Sequence, residues 1–369
     1  MRPFQISVPD VVLDDLTDRL AHSRLLGDSP RRPETGLSAA YLAELVDAWR
    51  RFDWRGRERW LNQDPQYLAD VHGTRLHFVH RQAENAGAPA ALLMHGWPHT
   101  FALQLDLARL LPEFHVVMPS FPGFAFSDPF DGTMTEKVMA DMMHSLMTDH
   151  LGYERYLVYG EDISANVSDL IAAEHPQQVA GILVTHAHFG TDEERATLDD
   201  PQARAFFDRL SASGGPDGAY AHLQATRPDT LAAALNDSPA GLLAWIVEKL
   251  VEWSDTPNDD PAALERRIAR DRILTEATIY WATQTIASSF RPYFDRGADV
   301  SIPPVEVPAV VAIQRHEHDY PEVLARSFYR DLRSFERLEQ GGHFAAAEVP
   351  DVMAERLRQL ARECGLGQA

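Results

Sequence analysis

Hydrophobic positions recur with helical spacing at the start of the chain, with strand-like spacing in its middle and near its end, and with helical spacing again in between. Phe4, Ile6 and Val8 alternate like a short extended piece. Asp10, placed to cap a helix, then precedes an apolar stripe at Val12, Leu13, Leu16 and Leu20. After a polar, proline-bearing stretch from Gly27 to Gly36, a helical pattern runs through Tyr41, Leu45 and Trp49 into Phe52-Asp53-Trp54 and Trp60-Leu61. Residues 1–66 therefore form a segment whose aromatic face must pack against something larger.

From about Tyr67 the period shortens. Strands are expected over Arg75–Arg81, Ala90–Met94, His115–Met118, Tyr156–Tyr159, Ile182–Thr185 and Val307–Ile313. Several are continuous apolar runs, as in strands covered on both faces, and helix-length spacers separate them. This pattern predicts an α/β fold with a mostly parallel sheet flanked by helices. Between Ile182–Thr185 and Val307–Ile313 the stripes are helical only, through Leu231, Leu235, Leu242, Trp245 and Leu250 and then Ile273, Tyr280, Trp281 and Ile286. Such an insertion reads as a helical lid, residues 190–300, seated over the carboxyl ends of the strands, where ligands collect in open α/β folds. The core would then comprise residues 67–189 and 301–369.

Composition narrows the function classes. The 55 acidic and 34 basic residues leave a formal charge of −21, which repels nucleic acid and anionic lipid surfaces. The single cysteine, Cys364, forbids an internal disulfide and a Cys-based zinc or redox site. No run approaches the roughly 20 apolar residues of a membrane span, and the first residues lack the apolar stretch of a secretory signal. The expectation is a cytoplasmic protein with no cofactor, no metal, no nucleic-acid partner and no membrane partner. A homo-oligomer stays open.

The sharpest chemical signal is Tyr156-Leu157-Val158-Tyr159-Gly160-Glu161-Asp162-Ile163-Ser164, an apolar strand running through a tight small-x-acid-x-small turn into a helix. This has the shape of a nucleophile elbow with a carboxylate at its apex, placed to attack carbon and form an ester. Small residues belong there because side chains at Gly160 and Ser164 would collide. An ordinary N-cap aspartate would give the same local sequence. A second strand ends in Leu93-Met94-His95-Gly96-Trp97-Pro98, whose Trp97 N–H, with that of Ile163, would form an oxyanion hole. A third signal, Gln340-Gly341-Gly342-His343-Phe344, presents a histidine after a Gly-Gly turn. The acid that orients it should follow Val307–Ile313, where Glu317 and Asp319 both qualify and Glu317 is nearer the strand end. His316 and His318 beside them lack the spacing of a metal site.

Taken together, His95-Gly96-Trp97-Pro98, Pro119-Ser120-Phe121-Pro122-Gly123-Phe124, the Asp162 elbow, Leu235-Asn236-Asp237-Ser238-Pro239-Ala240-Gly241-Leu242 with Glu248-Lys249, and Gly341-Gly342-His343-Phe344-Ala345-Ala346 closely resemble the epoxide hydrolases of the α/β-hydrolase superfamily. Phe4-Gln5-Ile6-Ser7-Val8-Pro9 and Phe52-Asp53-Trp54-Arg55 look like the N-terminal wrapping segment of the branch that holds the microsomal and juvenile-hormone enzymes. The resemblance covers nearly the whole chain. It departs at Ile163, where relatives often carry tryptophan, at Glu161, which sets a second carboxylate beside the apex, and at Ser164, usually glycine. It also departs at Gln314-Arg315-His316-Glu317, which lacks the family's Phe-Pro form.

The resemblance implies an α/β-hydrolase fold with a cap domain and a two-step hydrolysis. Asp162 would attack an epoxide carbon while two lid phenols, Tyr220 and Tyr293, hold and protonate the oxygen. His343, oriented by Glu317, would then activate water to release a vicinal diol. Lid aromatics point to an apolar epoxide as substrate. A haloalkane or haloacid dehalogenase shares the elbow aspartate, but typically places an indole directly after it to bind halide, where this chain has Ile163. An esterase would require Gly-x-Ser-x-Gly, which does not occur. A non-catalytic binding protein of the same fold would have shed some of these groups.

Overall fold

The apolar runs become strands because both of their faces are covered. In the computed structural model, which describes residues 1–30, 36–190, 192–197, 199–213, 218–257, 259–295 and 301–367, every residue of Ala90–Met94 and Tyr156–Gly160 is buried. Leu92 and Val158 belong to the core layer of Leu170 and Ile171, on the helix Ile163–Glu174. Leu93, Leu157 and Tyr159 belong to the opposite layer, with Leu357 and Leu360 of the helix Pro350–Glu363. Each large apolar side chain taken fully from water contributes about 1.5–3 kcal/mol, so the strand runs are the best-anchored parts of the chain.

The sheet has strands β1 (Arg2–Phe4), β2 (Gln66–Val71), β3 (Thr74–Arg81), β4 (Ala90–Met94), β5 (His115–Pro119), β6 (Tyr156–Gly160), β7 (Val179–Val184), β8 (Val305–Ile313) and β9 (Tyr329–Arg337), in the order β1-β2-β3-β5-β4-β6-β7-β8-β9. From β5 to β9 all neighbours are parallel, while β1, β2 and β3 add an antiparallel edge. All six expected strands are present. The carboxyl ends of β4, β6, β7, β8 and β9 therefore share one rim, where open α/β sheets bind ligands.

Three differences from the sequence expectation have physical causes. β7 begins at Val179 and ends at Val184, earlier than Ile182–Thr185, because Gly181 breaks the apolar run. A Cβ on Gly181 would approach Cys364 Sγ and Leu360 Cδ1 to 2.8 Å, so the gap in hydrophobicity is a close packing point. β9 carries Arg330, Asp331, Arg333 and Glu336 because it closes the sheet edge and is only partly covered, a common defence of edge strands. Asp10 lies in the first turn of the helix Asp10–Ala21 and does not cap it; its carboxylate pairs with Arg55.

Between β7 and β8 the described residues form helices and no strand, with Pro228–Asp237, Pro239–Trp253 and Arg270–Thr283 the principal ones. The helices Asp10–Ala21 and Ala39–Arg50 lie against the last two. The Trp49 indole donates to Thr278 Oγ1 at 2.8 Å, and Arg19 pairs with Asp237 at 2.8 Å. The aromatic face of the N-terminal segment thus meets the helical insertion as well as the sheet.

Candidate active site

The turn after β6 places Asp162 at φ +56°, ψ −128°, a strained conformation for a residue with a Cβ. The strain is affordable because the flanks leave no slack. A Cβ on Gly160 would lie 2.3 Å from the Ser164 carbonyl oxygen. The collision is therefore with backbone, and the Ser164 side chain itself fits. Its hydroxyl, with one proton to donate, lies 2.9 and 2.7 Å from the carbonyl oxygens of Met94 and Glu161, and it accepts from the Glu161 N–H at 2.8 Å. Gly96 has the same function opposite, since a Cβ there would come within 2.4 Å of Asp162 Cβ. The Asp162 side chain makes no capping bond to the second or third turn residue of its helix, unlike an ordinary N-cap.

Its two oxygens have different surroundings. Oδ1 accepts the Trp97 N–H at 2.9 Å, and the Ile163 N–H also bonds the carboxylate. Oδ2 faces His343 Nε2 at 3.3 Å. Burial pushes the carboxyl toward its neutral form, but His343 and the two N–H groups outweigh it and hold the acid below its ordinary value. His343 Nδ1 lies 2.8 Å from Glu317 Oε1. Burial would disfavour the imidazolium, yet Asp162 and Glu317 raise it to about 10. Glu317 lies well below the usual carboxylate range: burial opposes its ionisation, and His186 and His343 overcome that penalty. At neutral pH the site therefore holds a carboxylate–imidazolium–carboxylate array.

Of the two acids left open by the sequence, Glu317 meets His343. Asp319, 85% exposed at its side chain, faces Arg209 at 3.9 Å instead. Glu161 turns away from the apex into the core. There it accepts from the Tyr159 hydroxyl and from the Ala346 N–H, the latter at 2.6 Å, and meets His99 Nε2 at 3.2 Å. It thereby ties the elbow to the loop that carries His343. His95 is likewise structural: Nε2 accepts the Phe121 N–H at 3.2 Å and Nδ1 meets the Gly96 carbonyl at 2.9 Å.

Tyr220 and Tyr293 come from the insertion, with ring centroids 5.8 Å apart, and Tyr220 stacks on Trp97 at 5.2 Å and 12°. The Tyr293 phenol lies well above its ordinary value because of burial, the Asp162 charge and a hydrogen bond with Tyr220, so it stays a donor. Both rings line a cavity of about 650 Å³ with Asp162, Ile163, His186, Trp253, Glu317 and His343. His316 and His318 line it too, although neither joins the array. Two residues to which the sequence assigned no role also stand at the site. Lys249 Nζ sits 5.4 Å from the Tyr220 ring centroid, while His186 touches Glu317 and His343. His186 follows the apolar strand end by two residues, a position at the binding rim that strand periodicity alone could have flagged.

Residues 1–103 match the family model for the epoxide hydrolase N terminus, and residues 89–348 match that of the alpha/beta hydrolase fold. A putative epoxide hydrolase of Stigmatella aurantiaca is 34% identical over 98% of this chain and 84% of its own length. Epoxide hydrolase 1 of Sus scrofa is 30% identical over 97% of this chain and 88% of its own. The crystal structure of juvenile hormone epoxide hydrolase from Bombyx mori superposes with a TM-score of 0.86 at 26% identity, covering 99% of this chain and 94% of that one. No helix among the described residues is long and apolar enough to cross a membrane. An aspartate elbow, a facing histidine–glutamate pair and this full-length similarity make the chain a member of the epoxide hydrolase family within the α/β-hydrolase fold, acting on small epoxides.

Proposed function

We propose that Asp162 is the nucleophile, Tyr220 and Tyr293 the acids, His343 the base and Glu317 its orienting partner, with the N–H groups of Trp97 and Ile163 as the oxyanion hole. The asymmetry of the Asp162 carboxylate carries this assignment. Oδ1 is held by the Trp97 N–H, so Oδ2, which faces His343, is the oxygen left to attack. Oδ2 forms a bond to one epoxide carbon as the ring C–O bond breaks, and a tyrosine phenol gives its proton to the departing alkoxide. The product is a neutral hydroxyalkyl ester.

Ester formation removes the charge facing His343. The imidazolium, raised to about 10 largely by its two carboxylates, then loses one of them and gives up its proton, which restores the phenol that protonated the alkoxide. The neutral ring takes a proton from water as hydroxide adds to the ester carbonyl, and the developing oxyanion is Oδ1, already in its hole. Collapse expels the diol and restores the carboxylate. The ring faces of Tyr220, Trp253, Phe189 and Tyr293 on the cavity wall support an apolar body on the substrate.

One turnover in ¹⁸O-water with enzyme in excess over an aryl epoxide tests this scheme. Water attacks the ester carbonyl, so the first diol should carry ordinary oxygen and the label should enter the Asp162 peptide. Label in the first-turnover diol would mean direct attack by water and would overturn the assignment.

A further inference from the structure

His186 lies just beyond β7, largely buried, and takes no part in the steps above. Its Nε2 is 3.3 Å from Glu317 Oε1 and 3.0 Å from His343 Nδ1. Its Nδ1 is 3.4 Å from the backbone N of Asp162 and 3.2 Å from Thr185 Oγ1. A backbone N–H can only donate, so Nδ1 is the acceptor and the ring proton is assigned to Nε2, directed at Glu317. The His343 Nδ1–H points at that same oxygen from 2.8 Å. Two N–H groups cannot bond each other, so the short ring-to-ring approach means that both imidazoles share one carboxylate oxygen. The two N–H donors on that oxygen help to hold Glu317 ionised, and His186 is among the groups that lower its pKa.

We propose that His186 is a positioning residue for the second step, tying the triad acid to the backbone of the nucleophile and sharing the charge of Glu317 with His343. The proposal rests on the two-step assignment above. Without the Nε2–H donor, the negative charge of Glu317 falls on His343 alone, and the imidazole keeps its proton more tightly after Asp162 is esterified. Less of it is then free to act as a base near neutral pH, and raising the pH restores it. The titratable groups that line the same cavity as His186 are Glu136, Asp162 on the elbow, His316, Glu317 and His318 after β8, His343 after β9, and Tyr220, Glu252 and Tyr293 from the helical insertion. Among them, His343 is the one that must lose a proton between the two steps.

His186→Asn keeps a polar group near the Asp162 N–H but is too short to reach Glu317, whereas His186→Gln can supply an N–H near the Nε2 position. Each variant and the wild type would be mixed in excess with an aryl epoxide and quenched over time. The Asp162 ester is quantified by peptide mass spectrometry from pH 6 to 10. Expected in His186→Asn are an alkylation rate within about twofold of wild type and ester hydrolysis slowed on the order of tenfold at pH 7, as for loss of one hydrogen bond to a charged group. The deficit should close toward pH 10, and His186→Gln should recover most of the rate. Unchanged hydrolysis, an equal fall in both steps, or a deficit of the same size at every pH would overturn the role of His186 alone. Absence of any Asp162 adduct in the wild type and in His343→Gln would overturn the two-step assignment along with it.

Discussion

Asp162→Asn removes the charge that faces His343 Nε2 across 3.3 Å and leaves a neutral carbonyl, the same electrostatic change that the proposed ester would make. His343 is raised from 6.5 to about 10. That elevation is worth roughly 5 kcal/mol in favour of the imidazolium, at ~1.4 kcal/mol per tenfold. Asp162 and Glu317 supply the rise and burial opposes it, so either carboxylate contributes more than its share of the net figure suggests. Taking the two contributions as comparable, losing Asp162 should lower the titration midpoint by on the order of two pH units, about a hundredfold in the neutral fraction near pH 7. The assay is an NMR titration of ¹⁵N-histidine-labelled protein, with the His343 resonance assigned by its absence from His343→Gln. A midpoint unmoved in Asp162→Asn would show that Asp162 does not hold the proton of His343, and the proposal that alkylation itself switches His343 on would fail.

Three further outcomes follow from the geometry. His343→Gln should form the Asp162 ester at close to the normal rate and lose steady-state turnover by about 10²–10⁴-fold, the span of general-base catalysis; a burst equal to the enzyme concentration, followed by near-zero diol release, is the readout. Tyr220→Phe and Tyr293→Phe should each slow alkylation by roughly 10- to 100-fold, and the double variant by more, while hydrolysis of ester already formed stays within about threefold; rapid-quench measurement of both steps checks this. Gly96→Ala drives a methyl group to 2.4 Å from Asp162 Cβ, so alkylation should fall by at least about tenfold in protein whose circular dichroism is unchanged, and wild-type rates in that variant would show that the elbow has room to spare.

The elbow, the His95-Gly96-Trp97-Pro98 turn and the Gly341-Gly342-His343 turn were legible along the chain because each is a local device. An apolar strand covered on both faces ends in a turn tight enough to demand small residues, and neighbours in sequence settle that conformation. Fold class followed for the same reason, since burial on two faces writes itself as unbroken apolar runs. β9 was obscured because an edge strand needs little burial, and β7 lost three residues because Gly181 makes room for Cys364 and Leu360, which come from the far end of the chain. Glu317 and Asp319 look alike in sequence; the folded chain turns one carboxylate to His343 and leaves the other beside Arg209 at the surface. Glu161 appeared as a second charge next to the apex, yet folding points it inward to His99 and the Ala346 N–H. His186 carried no motif at all. Strand periodicity could mark its position at the rim, but its place beside Glu317 and the Asp162 backbone arises where three strand ends converge, and which partners it meets there is set by packing between strands far apart in sequence.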